Sequence, residues 1–187
     1  MDPEEDGWPT KLEGFRGLLN YLAWEYLLDE AHLRKRIDPA DLVQDTLLEA
    51  QAHKARMDGA PPAQLRAWLQ SVLAHNLQDQ IRKFKRAKRD IRRDITNAFG
   101  RATIRLRLFA RQTAPSQRAA REEEILKVLD AVERLSEPAK TIVRLRYLKE
   151  RPFPEIANHV GLTEGAAATH LHRALGKLRE MMEAGRE

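Results

Sequence analysis

The chain has 187 residues, enough for one large domain or two small ones, with 42% hydrophobic and 33% charged side chains, so it can bury cores beneath a heavily solvated surface. It has no cysteine, which excludes a disulfide framework, a cysteine-based zinc site and thiol chemistry. No apolar run approaches the about 20 residues needed to cross a bilayer, and no signal peptide opens the chain, so a cytoplasmic protein without membrane contact is expected. The net charge of +5 is unevenly spread: residues 1–81 carry 8 basic and 14 acidic side chains, residues 82–121 carry 14 and 2, and residues 122–187 carry 11 and 12. Such a basic middle suits a polyanion, an acidic protein surface, or water and salt alone, and nucleic acid is the commonest polyanion.

Residues 1–13, "MDPEEDGWPTKLE", are acidic and hold two prolines, which predicts a flexible tail. A helical domain is expected over 14–98. From Phe15 to Leu33 apolar residues recur at helical spacing: Leu18, Leu19, Leu22, Trp24, Tyr26 and Leu27. "IDPADLVQDTLLEAQAHKA" predicts a second helix, with Asp38 as cap, Pro39 in the first turn and Asp41 at the positive end of the dipole. Its Val43, Leu47 and Ala50 point one way, while Asp41, Gln44, Asp45 and Leu48 share the other face. That outer strip reads either as an ordinary solvated surface or as a protein-docking surface with one exposed leucine.

"RMDGAPPA" breaks the chain, and a third helix runs from about Gln64 past Arg82, with Leu65, Trp68, Leu69 and Val72 on one stripe. Asn76 continues that stripe, so an amide stands where an apolar residue is expected. It reads equally as a group satisfying a buried polar atom or as the lining of a pocket for a polar ligand. Arg82, Lys83, Lys85, Arg86, Lys88 and Arg89 crowd the end of this helix, where cations complement the dipole and can hold phosphates. Residues 99–121 are read as a basic linker, since Ile104, Leu106 and Leu108 alone would make a strand without a partner.

Helical periodicity resumes over 122–187, with Ile125, Leu126, Leu129, Val132 and Leu135 followed by a helix start at Pro138. "FPEIANHVGLTEGAAATHLHRALGKL" has the grammar of a helix-turn-helix: a small Ala157, Gly161 for a left-handed turn, Leu162 at the corner and Thr163 as cap. Ala167, Leu171, Ala174, Leu175, Leu178 and Met182 form the apolar stripe of its second helix. The other side shows Gly165, Ala166, Thr169, Arg173 and Gly176, flanked by His170, His172 and Lys177. The alternative is a helical hairpin that only packs. His170 and His172, two apart, do not share a helix face, so they read as surface histidines or a phosphate contact rather than a zinc pair. No metal site, cofactor or catalytic group is expected.

Taken together, these stretches resemble the sigma factors of bacterial RNA polymerase, specifically the compact extracytoplasmic-function group of the sigma-70 family. "DPADLVQDTLLEA" resembles the family's polymerase-docking helix. "LRAWLQSVLAHNLQDQIRKFKR" resembles the segment that opens and reads the −10 promoter element, with Trp68, Asn76, Asp79 and Arg82 in the matching places. The chain from Val128 to Arg179 resembles the domain that reads the −35 element. The resemblance covers roughly residues 15 to 183 and implies an all-α fold of two small helical domains joined by a basic linker, the second a helix-turn-helix.

The resemblance further implies roles. Asp41, Gln44, Asp45 and Leu48 would bind the largest subunit of core RNA polymerase. The loop at Asp58 and Gly59, with Asn76, would hold a base flipped from the opened strand. Arg82, Lys83, Lys85 and Arg86 would follow promoter DNA phosphates. Thr163, Thr169, His170, Arg173 and Lys177 would serve the helix in the major groove. The free chain would be a monomer, and an anti-sigma factor is a partner the family admits. In two places the chain departs from its relatives: no aromatic residue stands just before the loop glycine, and Ala168 and His170 replace basic or larger polar residues. A free-standing helix-turn-helix regulator with a helical sensor or dimerisation domain is the competing function. An enzyme acting on nucleic acid is disfavoured, since no phosphate-cradling glycine loop, metal-ligand spacing or nucleophile–base set occurs.

Overall fold

A computed structural model of the chain describes residues 7–28, 33, 35–84 and 118–184, and every regular element among them is a helix. The chain divides into two compact units, Met1–Glu122 and Glu123–Glu187. Lys85, Arg86, Lys88, Arg89 and the stretch around Ile104 to Leu108 lie outside the described residues.

The first unit departs from expectation at its start. Helix α1 spans Gly7–Glu13, within the segment predicted to be a flexible tail. Trp8 and Leu12, four residues apart, share one face and are only 2% and 3% exposed, so apolar burial offsets the ordering of this short stretch. After a turn at Gly14, α2 (Arg16–Leu28) is apolar around its circumference and lies central in the unit, burying Leu18, Leu19, Tyr21, Leu22, Ala23 and Leu27. Helix α3 (Pro39–Ala52) begins as its sequence predicts: the Asp38 carboxylate accepts from the Ala40 amide at 2.8 Å, with Pro39 in the first turn. Its Leu42, Val43, Leu47 and Ala50 are buried, and it packs against α1, α2 and the long helix α5.

A single turn, α4 (Lys54–Met57), leads through Asp58 and Gly59 into α5 (Pro62–Phe84). The core ridge of α5 is Leu65, Leu69, Leu73, Leu77 and Ile81, repeating every four residues with almost no exposure. Asn76 therefore flanks the apolar stripe rather than interrupting it, and is half-buried. Its Nδ2 donates to Thr46 Oγ1 at 3.3 Å, and the fully buried Thr46 hydroxyl donates to the Leu42 carbonyl at 2.8 Å.

Helix α6 (Arg118–Glu133) starts within the segment expected to be linker and continues into the second unit. Helix α7 (Ala139–Val143) continues into a wider π turn over Arg144–Leu148, with the Lys149 amide donating back to the Arg144 carbonyl at 3.1 Å. Arg144 is buried, so its charge needs a partner, and it donates to the Glu133 carboxylate, which Lys140 also approaches at 3.7 Å. Helices α8 (Phe153–Val160) and α9 (Glu164–Ala184) close the unit, with α9 packed on both α7 and α8. Ile142, Ile156, Ala157, Ala167 and Ala174 form the centre of that packing.

The ridge on α5 has a direct test. Leu73→Ala is expected to lower the unfolding free energy by about 2–5 kcal/mol. Leu48→Ala, on the exposed side of α3, should stay within about 0.5 kcal/mol of the parent. Urea unfolding followed by circular dichroism reads both, and equal losses would contradict the inward and outward faces described.

Candidate docking and nucleic-acid interfaces

The outer face of α3 exists because the inner one is fully used. Asp41, Gln44, Asp45 and Leu48 are all exposed on the solvent side, and Leu48, at 54%, is an exposed large apolar residue flanked by carboxylates. Gln44 is held in place: its Oε1 accepts from Arg16 at 3.0 Å, while the same guanidinium binds Glu13 at 2.5 and 2.7 Å. Those hydrogen bonds keep the Glu13 carboxyl below the usual carboxylate range, against the opposing effect of its partial burial. The result is an anionic strip around one apolar side chain, suited to a partner surface of cations and apolar sockets.

The break between α4 and α5 is a tight, anchored loop. The Asp58 amide donates to Lys54 O at 2.8 Å, Ala60 N–H donates to Met57 O at 3.1 Å, and Gly59 takes φ 80°, the left-handed region that favours glycine. Asp58 and Gly59 are exposed, whereas Met57 is buried beneath them. From α1, the Lys11 ammonium donates to the Ala60 carbonyl at 3.3 Å.

Asn76 is not brought to this loop. It stands 14 residues beyond Pro62, about 21 Å along the axis at 1.5 Å per residue, and its neighbour is Thr46 of α3. The expected single pocket of loop plus amide is thus two separate places on one helix. At the far end Arg82 and Lys83 are exposed, and Asp79 lies 3.6 Å from Arg82 and 3.3 Å from His75. Trp68 is half-buried, with its ring 6.2 Å from that of His53 at the end of α3.

The α8–α9 corner has helix-turn-helix geometry. Gly161 adopts φ 70°, and the Leu162 amide donates to the Ala157 carbonyl at 2.9 Å, terminating α8. Thr163 then caps α9, its Oγ1 accepting from the Ala166 amide at 3.2 Å. Gly165, Ala168, Thr169, Arg173, Gly176 and Lys177 are exposed on α9, while Ala167, Leu171 and Ala174 face the core. Two details depart from expectation. His170 is half-buried, at the margin of the open face. The Thr169 hydroxyl donates to the Gly165 carbonyl at 2.9 Å, so its proton is spent on its own helix. Ahead of α8, Arg146 donates to the Arg151 carbonyl at 3.2 Å and lies 5.3 Å over the Phe153 ring.

Sequence reading missed three contributors. Lys11 lies in the segment taken for a tail, and its contact spans 49 residues; only the Trp8–Leu12 spacing hinted that this segment folds. Nothing local in the sequence marks Arg16 as a partner for Gln44. Thr46, polar on a buried face, was the available sign that Asn76 has a structural partner. Among the described residues, no helix is long and apolar enough to cross a membrane, and no group of three or more His, Asp or Glu side chains could hold a metal ion.

Residues 125–178, from within α6 to α9, match the family described as Sigma-70, region 4. The chain is also similar to the ECF RNA polymerase sigma factor SigL of Mycobacterium tuberculosis strains H37Rv, CDC 1551 and Erdman. Each is 28% identical to it over 140 residues, covering 74% of this chain and 71% of the relative. A helix-turn-helix inside the matched family segment, and a similarity reaching well beyond that segment, agree with the all-α architecture. Residues 125–178 thus carry a sigma-70 region 4 segment built on a helix-turn-helix, and over about three quarters of its length the chain is similar to extracytoplasmic-function RNA polymerase sigma factors.

Proposed function

We propose that the chain binds core RNA polymerase through the outer face of α3 and directs it to promoters, the first unit opening and reading the −10 element and the second reading the −35 element. The observation that carries this reading is the two-sided α3: its inner face is buried, while Leu48 remains exposed among Asp41, Gln44 and Asp45. A free-standing regulator leaves such a strip unexplained. The promoter contacts are those the family resemblance implies: Arg82, Lys83, Lys85 and Arg86 on phosphates, the Asp58–Gly59 loop on a flipped base, and Asn76 as a second, separate contact to the opened strand. In the major groove, Arg173 supplies base-edge hydrogen bonds, Lys177 reaches a phosphate and His170 contributes from the margin, while Thr163 and the bare first turn let the α9 backbone lie close. Co-purification with core polymerase followed by run-off transcription tests the whole reading; palindromic DNA binding by the protein alone, without core association, would instead favour the regulator.

Docking has a local test. Asp45→Arg and Leu48→Asp should each weaken core polymerase binding at least severalfold while leaving the helical fold intact, because both side chains are exposed. Unchanged affinity in both variants would remove α3 from the interface.

Promoter opening can be separated from folding at the Thr46–Asn76 pair. Asn76→Ala and Thr46→Val break the same hydrogen bond, which is worth about 0.5–1.5 kcal/mol net. Only the first removes the amide. Permanganate footprinting should show fewer unpaired thymines with Asn76→Ala, whereas Thr46→Val should open promoters normally once the lost stability is allowed for. Equal defects would make the amide purely structural.

On α9, Arg173→Ala is expected to cost about 1–3 kcal/mol of −35 element binding. Thr169→Val keeps the methyl and loses a hydroxyl already turned onto Gly165, so it should bind almost as the parent does. Ala168→Arg should strengthen binding and shift the preferred sequence. Promoter activity across a library of −35 elements reads all three, and a sharp preference surviving Arg173→Ala together with His170→Ala would show that other residues read the DNA.

A further inference from the structure

The α4–α5 loop does not stand on its own hydrogen bonds alone. The Asp58 and Ala60 amides are satisfied within the turn, by Lys54 and Met57, but the carbonyl of Ala60 is tied to another element, α1, through Lys11 Nζ at 3.3 Å. The lysine is well placed to hold that contact. Trp8 and Leu12 fix α1 by burial, and α1 packs on α3, so the ammonium projects from the same body that carries the docking strip. Its charge lies 5.8 Å over the Trp8 ring, which limits the rotamers the long side chain samples and reduces the entropy lost on reaching Ala60.

We propose that Lys11 is a positioning residue for the Asp58–Ala60 loop: it clasps the Ala60 carbonyl to α1, so that the loop presents one shape to the base it receives. This rests on the assignment of that loop to a flipped base. A loop carrying a left-handed glycine and two exposed residues can shift between turn geometries at little cost, and discrimination between bases depends on pocket atoms staying in place. Lys11 then affects which base is preferred without touching the base itself. It also makes α1 part of the promoter-reading apparatus rather than an appendage.

The test uses the full chain with Lys11→Met, which keeps the stem over Trp8 and loses the ammonium, and Lys11→Arg, which keeps a donor. In the free protein, amide hydrogen exchange at Gly59 and Ala60 should quicken roughly two- to tenfold in Lys11→Met, the range expected for one net hydrogen bond, and return toward the parent in Lys11→Arg. With core polymerase, promoters varied base by base across the −10 element should show a flattened preference at one position for Lys11→Met, restored by arginine, with core affinity unchanged and the melting temperature lowered by no more than the few degrees that one hydrogen bond is worth. Unaltered exchange and unaltered preference in Lys11→Met would overturn the proposal. So would a retained preference with the salt slope of promoter binding reduced by about one, which marks a direct phosphate contact. Asp58→Ala separates the two layers. If it shifts the preference while Lys11→Met does not, the base-holding loop stands and the clasp has no reading role. If exchange responds to Lys11→Met but neither variant shifts the preference, the base-holding assignment falls, and the positioning role with it.

Discussion

Helix α3 is packed on three sides, and the first unit is organised by that constraint. Leu42, Val43, Leu47 and Ala50 fill the space between α2 and α5, Thr46 receives the Asn76 amide, and α1 lies against the same helix. Burying one stripe so completely leaves the remaining one no packing role, and Leu48 with its acidic neighbours occupies it. Stability and the proposed docking thus draw on opposite sides of fourteen residues. A substitution can alter one with little effect on the other, provided it respects the boundary at Thr46.

Charge is divided as strictly as packing. The exposed strip of α3 is anionic, whereas the far end of α5 runs into the segment where 14 basic residues face 2 acidic ones. Asp79 moderates the start of that gradient by pairing with Arg82 at 3.6 Å, an exposed contact that salt or a phosphate would readily displace. In the second unit the Glu133–Arg144 pair is of the other kind. It is part-buried, and removing Glu133 would take the carboxylate from the buried Arg144 at the α6–α7 junction, which is a penalty on folding rather than on recognition.

Those elements that carry their own punctuation were legible in the sequence. Asp38–Pro39 announced α3, and Gly161 with Thr163 announced the turn into α9, because caps and left-handed glycines act over three or four residues. The buried ridge of α5 was legible as a helix face but not in its phase: reading Leu65, Leu69, Val72 and Asn76 as one stripe follows a spacing of three and four, while the fold selects the row that repeats every four, ending at Ile81. Helix α1 escaped because seven residues do not hold a helix without a partner, and that partner, α3, begins 26 positions after α1 ends. For the candidate sites, residue membership on α3 and α9 could be read from periodicity. The Lys11 clasp, the Thr46 bond and the inward turn of the Thr169 hydroxyl could not, since each depends on where a side chain lands after folding.

The glycines at 165 and 176 bear on how this protein can change over generations. Both are exposed on α9, and a methyl group added at either would meet no atom within 4 Å. Glycine inside a helix costs roughly 0.5–1 kcal/mol relative to alanine, so neither residue is retained by the packing of its own domain. The outward face of α9 is therefore nearly neutral ground for folding. Side chains can be added there singly, each tested by what it recognises and not by whether the domain survives it, which leaves the recognition surface open to drift while the corner at Gly161 and the core at Ala167 stay fixed.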